Sequence, residues 1–86
     1  MKAYSKRPST LDLDLLRTFV TIYETRNFTR AADLLLRNQS TISLQLKRLE
    51  DLVGRRVFDR SPHNVKLSEA GRELLEYAQQ MLRLND

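Results

Sequence analysis

Asn38-Gln39-Ser40-Thr41-Ile42-Ser43-Leu44-Gln45-Leu46-Lys47-Arg48-Leu49 is the stretch on which the reading of this chain turns. At about 100° per residue, Ile42, Leu46, Leu49 and Val53 fall within roughly 60° of one another, an apolar seam along one face of a helix. The opposite face carries Ser40, Leu44, Lys47 and Arg48, with Gln39 and Ser43 on its shoulder. One side calls for a core. The other offers hydroxyls, an amide, two cations and one oddly placed leucine, groups of the kind that read and grip a DNA groove.

Upstream, Asn38 can cap this helix, and Leu36-Arg37-Asn38 makes a short connection to a preceding one. Thr29 is placed to cap that shorter helix, which should run through Leu36, with Phe28 anchoring its entry into the core. Ala31 and Ala32 allow close approach to a neighbour, and Leu35 supplies the main apolar contact. Two helices joined by so few residues, the second with a polar outer face, have the form of a helix-turn-helix. Before them, Asp12 is a good N-cap for a helix to about Thr25, which Arg26-Asn27 interrupts. Leu13, Leu15, Leu16, Phe19, Val20, Ile22 and Tyr23 cover half of its circumference; Asp14, Arg17, Thr18, Thr21, Glu24 and Thr25 cover the rest. So wide an apolar arc fits a deeply set helix, or one that gives Leu15 and Ile22 to a second subunit. Residues 1–11 read as a flexible basic arm, either a weak phosphate attractor or a solubilising tail.

Downstream, Gly54 suits the end of the central helix because it tolerates positive φ. Val57-Phe58-Asp59-Arg60 and Val65-Lys66-Leu67 flank the break Ser61-Pro62-His63-Asn64 and predict a small β-hairpin, a wing on the helix-turn-helix. Ser68 then caps a last helix from Glu69 to about Leu84. Its apolar half holds Ala70, Gly71, Leu74, Leu75, Tyr77, Ala78, Met81, Leu82 and Leu84. A stripe this wide needs cover, either from its own domain or from a second copy; the dimer is the expectation, with Leu74, Ala78, Met81 and Leu82 at the interface.

Bulk properties agree. Eighty-six residues support one small domain whose modest core often needs oligomerisation. The chain has no cysteine, and a formal charge of +4. Residues 26–66 hold nine cations against four anions, net +5, whereas residues 67–86 hold two against four, net −2. A polyanion would therefore meet the middle of the chain. No apolar run is long enough to span a bilayer and no signal-peptide pattern opens the sequence, so a cytoplasmic protein without membrane contact is expected. One histidine, no cysteine and scattered acids suggest no metal site, no cofactor and no nucleophile–base pair, so an enzyme is not expected. The rival classes are a helical protein-interaction module and a sequence-blind nucleic-acid binder of another winged-helix family. The +5 middle argues against the first, and competition with random DNA separates the second.

The ordered set Leu16-Arg17-Thr18-Phe19, Phe28-Thr29-Arg30-Ala31-Ala32, Gln39-Ser40-Thr41-Ile42-Ser43, Leu49-Glu50, Gly54, Phe58-Asp59-Arg60 and Leu67-Ser68-Glu69-Ala70-Gly71 resembles the DNA-binding domain of LysR-type transcriptional regulators. The likeness covers residues 12–84 without gaps, and the terminal segments further resemble the branch typified by LrhA. It implies a mainly α fold: a winged helix-turn-helix of three helices and a hairpin wing over 12–67, then a linker and dimerisation helix over 68–86. It also implies a dimeric bacterial regulator, tetrameric in forms that carry the effector-binding domain; these residues do not include that domain, so the sequence looks like a family member cut after its linker helix, or else a natural short form.

By position, the resemblance gives base contacts to Gln39, Ser40 and Ser43, and the chemistry agrees, since a glutamine amide can pair bidentately with adenine. Gln39 and Ser40, like Thr41, are also ordinary first-turn residues. Leu44 departs from the family, where a basic or polar residue is common; it is either a contact for a thymine methyl or an incidental surface leucine. Phosphate contacts fall to Thr29, Arg30, Lys47, Arg48, Arg60 and Lys66, although Arg48 could instead pair with Asp51. His63 stands where the family often has a wing-tip arginine and is the candidate for the minor groove, or else a plain turn histidine.

Overall fold

In the computed structural model the described residues are 12–59 and 65–86. Four helices follow in order: α1 Leu13–Thr25, α2 Phe28–Leu35, α3 Gln39–Val53 and α4 Glu69–Asn85. The arm at 1–11 and residues 60–64, which include Arg60 and His63, lie outside the described residues.

Helix ends follow the capping chemistry at most positions. Asp12 Oδ1 accepts from the Asp14 amide at 2.9 Å, Asn38 Oδ1 from the Thr41 amide at 2.8 Å, and Ser68 Oγ from the Gly71 amide at 3.0 Å. Gly54 closes α3 with φ +82°. Helix α2 differs from expectation at both ends. Asn27, not Thr29, is its cap, accepting from the Arg30 amide at 2.9 Å, so Thr29 lies inside the first turn. The helix stops at Leu35, and Leu36 takes the left-handed C-cap conformation at φ 57°. Arg26, at the end of α1, is left-handed too.

Helix α1 is central: it packs against α2, α3 and α4, while α2 packs on α3. Leu16, Phe19, Ile22, Ala31, Ile42, Leu49, Val57 and Ala78 are fully buried, and the rings of Phe19 and Phe58 lie 5.4 Å apart, tilted by 48°. Leu15 and Ile22 are buried within the chain, which settles them as its own core rather than as contacts for a second subunit. Thr18, placed by periodicity on the polar half of α1, is buried as well.

The expected hairpin is seen only at its base. Phe58 and Leu67 form one isolated antiparallel bridge, supported by hydrogen bonds from the Asp59 amide to Lys66 O at 2.7 Å and from the Ser68 amide to Val57 O at 3.0 Å. There is no strand among the described residues. Helix α4 reaches this base closely. A Cβ on Gly71 would collide with the Val57 carbonyl oxygen and come within 3.0 Å of Leu67 Cδ2, so the close approach requires glycine.

Candidate nucleic-acid interface

Helix α3 is set against the rest of the molecule by its apolar seam. Ile42 and Leu49 are buried, Leu46 and Val53 pack on the same core, and the far face is left outward. Its rotation is further fixed by a polar contact that periodicity does not reveal: the buried Thr18 hydroxyl of α1 donates to Gln45 Oε1 at 2.7 Å. At the other end, Glu50 Oε2 accepts from the Val57 amide at 2.9 Å and ties α3 to the base of the 58–67 bridge. Thr18, Gln45 and Glu50 thus orient the helix without reaching its outer face. The sequence signals for them are weak, because contacts between α1 and α3 have no local periodicity.

Gln39, Ser40, Ser43, Leu44, Lys47 and Arg48 are all exposed, together on the outward side of α3. Leu44 is 60% exposed, an apolar side chain in the middle of a polar face. Thr29 and Arg30, on the first turn of α2, are exposed as well. The first turns of α2 and α3 meet through their side chains: Gln39 Nε2 donates to Thr29 Oγ1 at 2.9 Å. Lys66 is exposed at the bridge, whereas Arg60 and His63 lie outside the described residues.

Charge pairing leaves this face cationic. Among the described residues the ion pairs are Arg17–Asp86 at 2.9 Å, Arg37–Asp14 at 3.8 Å and Arg55–Glu69 at 3.7 Å. Arg48 does not pair with Asp51, and Arg30 and Lys47 likewise have no acidic partner among the described residues. Nor does any group of three or more metal-ligating side chains come together there.

The residues expected at a dimer interface separate into two sets. Leu74, Ala78 and Leu82 are buried in the chain's own core. Met81 is exposed, and so are Tyr77 at 68% and Leu84. The outward apolar row of α4 is therefore Tyr77, Met81 and Leu84, at helical spacing i, i+4, i+7.

A sequence model of the family described as "Bacterial regulatory helix-turn-helix protein, lysR family" matches residues 13–72, from the start of α1 into α4. This chain belongs to the LysR family. Its relatives include the HTH-type transcriptional regulator PecT of Dickeya dadantii, 46% identical over 76 residues, or 88% of this chain and 24% of PecT. The regulator DgdR of Burkholderia cepacia is 47% identical over 76 residues, 88% of this chain and 26% of DgdR. The chain thus spans about a quarter of the length of these curated relatives. They are named as transcriptional regulators, in line with the expectation that the chain is not an enzyme. Among solved structures, the BenM DNA-binding domain in complex with benA site 1 DNA superposes with a TM-score of 0.84 at 34% identity, covering 88% of this chain and 85% of that one. No helix of the described residues is long and apolar enough to cross a membrane.

Proposed function

We propose that this LysR-family domain binds double-stranded DNA sequence-specifically, as part of a dimeric bacterial transcriptional regulator of the LrhA-like branch. Helix α3 enters the major groove, with Gln39, Ser40, Ser43 and Leu44 toward the bases. Thr29, Arg30, Lys47, Arg48, Arg60 and Lys66 hold phosphates, and His63 at the tip of a hairpin wing meets the minor groove. Residues 12–67 act as the winged helix-turn-helix, 68–86 as the linker helix and 1–11 as a basic arm. The second subunit docks on α4, with Met81 as expected from the sequence. Tyr77 and Leu84 take over from Leu74, Ala78 and Leu82, whose surface the core already uses. Forms that carry an effector domain would assemble into tetramers in a cytoplasmic setting.

The observation that carries this reading is the outward face of α3, exposed along its length and bearing cations without acidic partners among the described residues. The similar BenM domain, solved on DNA, supports it. The test is selection of bound sequences from random duplex DNA at physiological salt. An imperfect palindrome should be enriched, and the selected duplex should compete at least about a thousandfold better than random DNA. A bound pool without any sequence preference would leave only electrostatic attraction and overturn the proposal.

A further inference from the structure

The contact between Gln39 and Thr29 bears on how a base would be chosen. We infer that Thr29 is a positioning residue for Gln39, fixing which way its amide faces the DNA; this rests on the base-reading role proposed for Gln39. A free glutamine on a helix surface can turn its amide over and present either oxygen or nitrogen to a given atom. Here Nε2 donates one of its two hydrogens to Thr29 Oγ1 at 2.9 Å. The amide can satisfy that bond with the hydrogen anti to its carbonyl. What remains is Oε1 and the second Nε2–H, side by side, one acceptor and one donor.

That pair has the pattern that adenine complements in the major groove, where N6–H donates and N7 accepts. Guanine presents two acceptors at N7 and O6, which the pinned amide cannot satisfy together. Turned over, the amide would bring Oε1 to the same hydroxyl, which could meet it only by donating to the glutamine the hydrogen it otherwise offers to the DNA backbone. The threonine hydroxyl, accepting from Gln39, keeps its own hydrogen for a phosphate oxygen, so one side chain links backbone grip to base choice. The two residues lie ten apart in sequence on different helices, and both are exposed. Asn27 holds the first turn of α2 by capping the Arg30 amide, and Asn38 does the same for α3 at Thr41, so the two ends of the bond sit on fixed turns.

The experiment compares base preference in the 86-residue chain for wild type, Thr29→Val, Thr29→Ser and Gln39→Ala, by selection from random duplex DNA and by titration of single-base variants of the selected site. Gln39→Ala identifies the position read by this side chain, where its preference disappears. At that position Thr29→Val should lower adenine discrimination by about three- to tenfold, the span of one neutral hydrogen bond. Thr29→Ser, which keeps the hydroxyl, should retain it, and adding Thr29→Val to Gln39→Ala should lower it no further. A threonine that only gripped phosphate would instead weaken every sequence alike. Such a uniform loss, with preference at the Gln39 position intact, overturns the positioning role while leaving Gln39 as a reader. If Gln39→Ala removes no preference anywhere, both readings fall together. Unchanged thermal unfolding of Thr29→Val keeps the comparison free of a folding defect.

Discussion

Leu36 is the residue at which local chemistry and fold are most at odds. It is left-handed at φ 57° and 92% exposed, so it bears a Cβ clash without gaining burial. Nothing in a leucine announces this conformation, and for that reason the end of α2 was harder to read than the end of α3, where Gly54 marks the turn. Leu36→Gly should raise stability by about 0.5–1 kcal/mol after the extra chain entropy of glycine, seen as a higher urea midpoint with an unchanged slope. The start of α2 misleads for a different reason. Asn27 and Thr29 are both able caps, and it is Phe28, packed against the core, that puts Asn27 outside the helix and Thr29 within it. On α3 the outward residues were legible because the buried seam leaves them no other place. Lys47→Ala should weaken binding to all sequences and make the dependence of log affinity on log salt shallower by about one unit; an unchanged slope would take Lys47 off the backbone. Leu44→Ala should reduce binding about three- to tenfold at sites with a thymine opposite it and leave other sites alone, whereas equal loss everywhere would remove the methyl contact.

Helix α4 is held to the rest of the molecule at both ends by contacts of unlike chemistry. At its first turn the constraint is steric. Gly71→Ala would push on the Val57 carbonyl, which already accepts from the Ser68 amide, so relief at one point disturbs the cap of the same helix. We expect a loss of about 1–3 kcal/mol in thermal or urea unfolding, even though alanine is the better helix former by about 1 kcal/mol. At its last turn the constraint is electrostatic. Arg17 grips Asp86 through two hydrogen bonds of 2.9 and 3.2 Å, and the guanidinium holds the Asp86 carboxyl below the usual carboxylate range. A lowered value in the folded state means that the contribution is present above the unfolded pKa and is lost as pH falls through the lowered one. Both side chains are exposed, so the effect is small and screened by salt. Asp86→Asn should therefore lower the unfolding midpoint slightly at pH 7 in low salt, and the difference should shrink as pH falls through the lowered Asp86 pKa and vanish in about 1 M salt. The extent of α4 was legible in its periodicity. The split between its inner and outer apolar residues was not, because a wheel shows which residues are apolar and not where α1 lies.

Across the whole molecule, the reading of the helices, of the caps other than that of α2, and of the family survives, and what the sequence could not supply is mostly contact between distant segments: Thr18 with Gln45, Glu50 with the Val57 amide, Gly71 with the Val57 carbonyl. Assembly belongs to this scale. If Tyr77, Met81 and Leu84 form the outer seam, Tyr77→Lys with Met81→Lys should yield a monomer in sedimentation without loss of helix content. Its affinity for a two-half-site operator should drop at least about a hundredfold, and for a single half-site hardly at all, since only the linkage between sites is lost. A double variant that still sediments as a dimer would move the interface elsewhere. The central place of α1 has an implication for the order in which the fold can form. α2 and α3 are joined by a short turn and find each other locally, but Leu74, Ala78 and Leu82 reach the core only with α4, and Arg17 meets a partner 69 positions away. On the ribosome, the helix proposed to read DNA would emerge complete while one side of the core beneath it was still open. A nascent chain halted before Leu74 would hold every residue assigned to bases and phosphates, and yet lack the packing that aims them.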